Sequence, residues 1–140
     1  MRKFSILIAE DDPDDRFLLK KAFEENKAEE TIAFVENGIK ALEFLKKIRD
    51  ANHVFPNLII LDLNMPFRDG KEVLREIKED NVLKRIPVLV LSTSSNEAII
   101  DKCYELGANT YIVKPLSFER LLKVVEQIKS YWLQIASLPL

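Results

Sequence analysis

Asp62 closes the most apolar run of the chain, Leu58-Ile59-Ile60-Leu61, and is followed at once by Leu63-Asn64-Met65-Pro66. A short greasy run ending in a carboxylate reads as a buried strand that delivers an acid to a loop. Three other apolar runs end in the same way. Ile6-Leu7-Ile8-Ala9 stops at Glu10-Asp11-Asp12, Val88-Leu89-Val90-Leu91 at Ser92-Thr93, and Tyr111-Ile112-Val113 at Lys114-Pro115. In a parallel α/β sheet the carboxyl ends of the strands share one edge, and ligands bind there. Acids, a hydroxyl and a lysine distant in sequence would meet at that edge, and the chemistry they offer is that of a metal-assisted phosphoryl site.

Glu10, Asp11 and Asp62 would concentrate three carboxylates, whose mutual repulsion a bound hard cation relieves. Mg²⁺ suits such a set because it accepts few protein oxygens, keeps several waters and bridges to phosphate. Ca²⁺ would want a denser cage, and no EF-hand loop spacing is present. The rest of the acidic run, Asp12, Asp14 and Asp15, has a plainer explanation: acids at a helix start cap amides and complement the dipole. Lys114 taken alone is an ordinary surface lysine. Placed between a strand and a proline at the same edge as the carboxylates, it can neutralise a phosphoryl oxygen as a point charge. Ser92 either ends a strand in a turn-forming Ser-Thr-Ser-Ser run or donates a hydrogen bond to an attached phosphoryl group.

The elements that must position these residues alternate along the chain. Apolar runs near 4–9, 31–35, 58–62, 87–92 and 109–113 are short and aliphatic or β-branched, and the stretches between them have helical periodicity. Phe17-Leu18, Ala22 and Phe23 are expected on one helical face, as are Leu42, Leu45 and Ile48, then Val73, Leu74 and Ile77, then Ile99, Ile100, Cys103 and Leu106. Asp12-Pro13, Asn37-Gly38 and Ser95-Asn96-Glu97 are helix starts. This pattern predicts a parallel sheet covered on both faces by helices and joined by right-handed crossovers. Residues 49–57 read as a long link before the third strand, and the last helix is expected from about Phe118 to about Ile135.

At 140 residues the chain is expected to be one domain, 1–140, with enough hydrophobic content, 47%, for a layered core. Its 21 basic and 23 acidic side chains give a formal charge of -2, which offers no overall attraction to nucleic acid or to an anionic membrane. The single cysteine, Cys103, forbids an intramolecular disulfide and reads as a core thiol. The first apolar segment is broken by Glu10, too short for a signal-peptide core or a membrane span, so a cytoplasmic location is the default expectation. His53, the only histidine, reads as a loop residue without metal-site spacing.

Taken in order, Glu10-Asp11, Asp62 with Asn64-Met65-Pro66 and Asp69-Gly70, Ser92, and Tyr111 with Lys114-Pro115 resemble the motif set of the receiver domains of two-component response regulators, from Lys3 to about Lys129. The resemblance implies a flavodoxin-like doubly wound α/β fold with five strands in the order 2-1-3-4-5 and five helices. It implies that Asp62 accepts a phosphoryl group from a histidine kinase or phosphotransfer protein. Asp11, Asp62 and the carbonyl of Asn64 would hold Mg²⁺ with help from Glu10 through water. Ser92 and Lys114 would bind phosphoryl oxygens, and Tyr111 with Ser92 would form the switch. Such a protein catalyses only its own phosphotransfer and dephosphorylation and signals by changing its contacts with a downstream protein.

The long link and the tail Tyr131-Trp132-Leu133 with Leu138-Pro139-Leu140 resemble the stand-alone regulators that serve phytochrome-type kinases. That likeness implies a homodimer through the fourth helix, the fifth strand and the extended last helix; the plainer reading is a helix end that covers its own sheet. Two rivals remain at this point. One is a receiver-fold binding module that acts without phosphorylation, against which the complete set Glu10, Asp11, Asp62, Ser92 and Lys114 argues. The other is a hydrolase with an aspartyl-phosphate intermediate, for which the short strand-to-helix connections leave little room for a substrate pocket.

Overall fold

Each strand forms where aliphatic residues run without interruption, and each is followed by a helix that starts on a side-chain cap. The computed structural model describes residues 4–26 and 30–139. The order is β1 (Phe4–Ala9), α1 (Pro13–Glu25), β2 (Glu30–Val35), α2 (Gly38–Asp50), β3 (Leu58–Leu61), α3 (Gly70–Glu79), β4 (Val88–Ser92), α4 (Glu97–Glu105), β5 (Thr110–Val113) and α5 (Phe118–Ile128). A 3₁₀ turn, Leu83–Arg85, precedes β4, and a π-helical segment, Lys129–Ile135, continues α5. The helical tail expected to about Ile135 is therefore present, with a change of winding at Lys129. Lys3 and Leu140 lie outside the described residues.

The five strands are parallel in the order β2-β1-β3-β4-β5, the flavodoxin-like arrangement that the receiver resemblance implies. Their two-residue period divides the core into two layers. Ile6, Ile8, Leu58, Ile60, Leu89 and Leu91 pack with α1 and α5, while Leu7, Ala9, Ile59, Leu61, Val88 and Val90 pack with α2 and α3. Cys103 is buried in the second layer, as its place in the α4 stripe predicts. No helix among the described residues is long and apolar enough to cross a membrane.

The expected helix starts are present. Asp12 accepts from the Asp14 amide at 2.8 Å, Asn37 from Lys40 at 2.8 Å, and Asn96 from Ala98 at 2.9 Å. Two expectations change. In α1 the buried residues are Leu19, Ala22 and Phe23, whereas Phe17 is 64% exposed. Positions 19, 22 and 23 follow the helical spacing, and Phe17 lies two residues before Leu19, just over half a turn away and so on the opposite side of the helix. The link before β3 is also shorter than 49–57, because α2 continues through Asp50. Arg49 on its last turn pairs with Asp80 after α3, which fastens the helix end where a loop was expected.

Candidate functional site

The hydrogen-bond ladder continues one residue past the strands, and this aligns the polar groups. Ala9 pairs with Leu61 in register, and the Asp62 amide then donates to the Ala9 carbonyl at 3.1 Å. The Glu10 amide donates to Val35 at 3.0 Å, and that of Lys114 donates to the Ser92 carbonyl at 2.6 Å. Glu10, Asp62, Ser92 and Lys114 thus begin from fixed backbone at one edge, while Asp11 occupies the first loop position after Glu10. Glu10, Asp62 and Ser92 are buried. The loop after Asp62 can fold closely over the strand end because residue 70 is glycine: a Cβ there would stand 2.3 Å from the Asp62 carbonyl oxygen and 2.6 Å from Leu63 Cα. Asp69 then caps α3 by accepting from the Glu72 amide at 3.0 Å.

Lys114 is the cation of this edge. Its Nζ donates to Glu10 Oε1, donates to Asp15 Oδ2 at 3.1 Å, and lies 3.5 Å from Asp62 Oδ2. Burial opposes the charge of Lys114, but the hydrogen bond to Glu10 and the nearby Asp62 outweigh it and hold the ammonium above its ordinary range. For Glu10 the balance goes the other way. Burial, with Asp62 beside it, pushes the carboxyl up to about 7 against the pull of Lys114. One ammonium among so many carboxylates leaves an excess of negative charge.

Glu10, Asp11 and Asp62 each present one carboxylate oxygen, and these three oxygens lie within 4.8 Å of one another. An all-oxygen donor set, charge-rich and partly buried, fits a hard divalent cation of the kind that binds through a few carboxylates and retains waters. The Asn64 amide donates to Asp62 Oδ1 at 3.3 Å, so Asn64 follows closely on the same loop. Arg16 holds that first loop from below, its Nη1 donating to the Glu10 and Asp11 carbonyls at 2.8 and 2.9 Å.

Ser92 Oγ accepts from the Ser94 amide at 3.3 Å, and Tyr111 Oη donates to the Ser94 carbonyl at 2.8 Å. Both residues expected to form the switch therefore meet on Ser94. On the far side, the Tyr111 amide donates to the hydroxyl of Tyr104 at 3.0 Å, so α4 and the edge strand β5 are joined through two tyrosines.

The expected site residues Glu10, Asp11, Asp62, Asn64, Ser92, Tyr111 and Lys114 thus lie at or next to one edge. The roles of Asp15, Arg16 and Tyr104 do not follow from sequence reasoning. Asp15 reads there as a helix-dipole acid, and only the reach of the Lys114 side chain to the first turn of α1 brings the two together. Arg16 falls one turn into α1 with no motif around it. His53 is exposed at the opposite end, on a cavity of about 440 Å³ formed with Phe55, Arg85 and Pro87, away from the carboxylates.

A family model described as the response regulator receiver domain matches residues 6–126. The response regulator Rcp1 of Synechocystis sp. is 41% identical over 135 residues, covering 96% of this chain and 92% of that protein. A probable methanogenesis regulatory protein, FilR2 of Methanothrix harundinacea, is 39% identical over 93% of this chain and 84% of its own length. Among solved structures, the phosphorylated cyanobacterial phytochrome response regulator RcpA superposes with a TM-score of 0.92 at 41% identity, covering 99% of this chain and 100% of that one. The Mn²⁺-bound form of Rcp1 gives 0.89 at 40% identity, covering 98% and 99%.

Proposed function

The chain belongs to the response regulator receiver family of two-component systems, and from that premise we propose that it takes a phosphoryl group from a histidine kinase or phosphotransfer protein onto Asp62, with Mg²⁺, and signals through altered protein contacts. The observation that carries this reading is Lys114, a buried-edge ammonium directed at Glu10 and at Asp62 from the end of a different strand. A cation held there serves little purpose in a passive binding surface. It has a clear use where a phosphoryl group must be neutralised.

In the proposed transfer an Asp62 carboxylate oxygen attacks phosphorus in line, forming the O–P bond as the P–N bond of the donor phosphohistidine breaks. The electron pair returns to the imidazole. Lys114 neutralises one phosphoryl oxygen and the Ser92 hydroxyl donates to another, so the protein contributes position and charge rather than covalent help. A divalent cation held by Glu10, Asp11, Asp62 and the Asn64 carbonyl would supply further charge neutralisation at the phosphoryl oxygens. The capacity of the three carboxylates to converge supports this part of the reading, as does the Mn²⁺ form of the relative Rcp1.

The product carries about -1.5 to -2 charge and several strong acceptor oxygens at Asp62, where the free carboxylate carries a single charge. Ser92 is drawn toward it, the Ser94 segment follows, and the Tyr111 hydroxyl loses or carries along its acceptor. Because Tyr111 is tied to Tyr104 through its amide, the change reaches the surface of α4 and β5. We read the chain as a single receiver domain whose output is that surface. A homodimer through α4, β5 and the helical extension, where Tyr131 and Ile135 are exposed, belongs to the same reading.

The test is incubation with Mg²⁺ and acetyl phosphate followed by intact-mass measurement of wild type and Asp62→Asn. One phosphoryl adduct on wild type and none on the variant is the expected result; an equal adduct on both would remove Asp62 from its role. Rapid turnover of phosphate esters would favour a hydrolase instead, although the cavity beside Lys114 is only about 150 Å³.

A further inference from the structure

Lys114 has one more partner than the phosphoryl chemistry asks for. Asp15 Oδ2 lies 3.1 Å from its Nζ, closer than the 3.5 Å to Asp62 Oδ2. Asp15 is not needed as a helix cap, since Asp12 already accepts from the Asp14 amide. Both residues line a cavity of about 150 Å³ together with Leu18, Leu91, Pro115 and Leu116. The ammonium is thereby drawn toward α1.

An ammonium has three hydrogens to give. Glu10 and Asp15 each take one, and the third faces Asp62. A phosphoryl group on Asp62 brings several strong acceptor oxygens, and an ammonium that closes its 3.5 Å stand-off there to hydrogen-bond one of them stretches one of the other two contacts. Glu10 is a poor candidate to let go: its side chain is 2% exposed, and with only the Asp12 amide left to it a buried carboxylate without its counter-charge is costly. Asp15 is 39% exposed, so water can replace the lysine at small cost.

Resting on the phosphoacceptor reading of Asp62, we propose that Asp15 is a positioning residue that holds Lys114 in a resting place and competes with the phosphoryl group for its ammonium. It keeps the lysine oriented when no phosphoryl group is bound, and its charge opposes formation of the phosphorylated state. The exchange is Asp15 released to water as Lys114 moves onto the phosphoryl oxygen, with no change in protonation.

Fluoroberyllate, a tetrahedral mimic of an aspartyl phosphate, reads this competition directly. Its affinity is measured by ¹⁹F NMR at saturating Mg²⁺ for wild type, Asp15→Asn and Asp15→Glu, alongside Tm and Mg²⁺ affinity. The Asn variant should bind fluoroberyllate roughly fivefold tighter, the scale of a part-exposed charge pair, with unchanged Mg²⁺ affinity. The Glu variant, which keeps the charge, should stay near wild type. A residue that merely supports α1 would lower Tm and leave affinity equal or weaker, and that outcome in Asp15→Asn overturns the proposal while leaving Asp62 as acceptor. No fluoroberyllate binding by wild type would overturn the phosphoacceptor reading and this inference with it.

Discussion

Burial, reinforced by Asp62, pushes the Glu10 carboxyl up to about 7 from an ordinary 4.5, although Lys114 pulls in the opposite direction. The sign of its effect on stability follows from which state holds the proton. Between these two values the folded chain keeps a proton that the unfolded chain has lost. The resulting stabilisation is complete below 4.5 and disappears as pH rises through about 7. In chelator, the Tm of wild type relative to Glu10→Gln should therefore fall as pH rises across this window. The gradient should be on the order of 1 kcal/mol per pH unit, and a flat difference would show that Glu10 titrates normally. Lys114 is tested by removal of its charge alone. Lys114→Met keeps most of the stem and should slow adduct formation from acetyl phosphate by about 100-fold, the usual cost of one electrostatic contact in such a transition state. A rate near that of wild type would leave the ammonium with a purely structural part among Glu10, Asp15 and Asp62.

At the scale of elements, the strand ends were legible because an aliphatic run that stops at a polar residue has one plausible place in an α/β sheet. The caps at Asp12, Asn37 and Asn96 were legible for the same local reason. What was not legible depends on how elements cross. Phe17 reads as part of a helical face with Leu18, Ala22 and Phe23, whereas the α1 register buries Leu19 with Ala22 and Phe23. The Tyr104 hydroxyl on the Tyr111 amide, and Asp15 on Lys114, join residues whose meeting is fixed by helix docking, which periodicity does not encode. Gly70 lies between these cases: it is visible in the Asp69-Gly70 pair, but its reason appears only in three dimensions. The site it protects is the backbone of Asp62 and Leu63, which cannot yield as a flexible side chain would. Gly70→Ala should cost about 1–3 kcal/mol in denaturant unfolding through overpacking. It should also weaken Mg²⁺ binding, because the loop that carries Asn64 must lift. Unaltered stability would mean that the loop moves freely.

The whole molecule is tied together at its far end by Lys129, where α5 gives way to the π-helical segment. The buried ammonium donates to the carbonyls of Phe23 and Asn26 at 3.1 and 2.8 Å and lies 3.2 Å from Glu30 Oε1, joining the tail to the end of α1 and the start of β2. That anchor gives the extension a definite direction. Beyond it Leu133 is buried, Trp132 is half-buried and stacks edge-on with Tyr131 at 5.2 Å, and Ile135 is exposed. Trp132 also closes a cavity of about 320 Å³ with Ile112 and Ile128, beside the uncovered edge of β5. A second copy meeting this face would gain a rigid aromatic anchor of the sort that dominates interface energies. Sedimentation of wild type should show self-association that strengthens with fluoroberyllate and Mg²⁺. Trp132→Ala should weaken it by at least about tenfold, roughly the effect of removing one interface anchor. A monomer in every condition would assign Trp132 to covering its own sheet. A dimer indifferent to Trp132 but lost in Tyr104→Phe, which deletes only the hydroxyl holding the Tyr111 amide, would move the interface from the tail to the α4–β5 face.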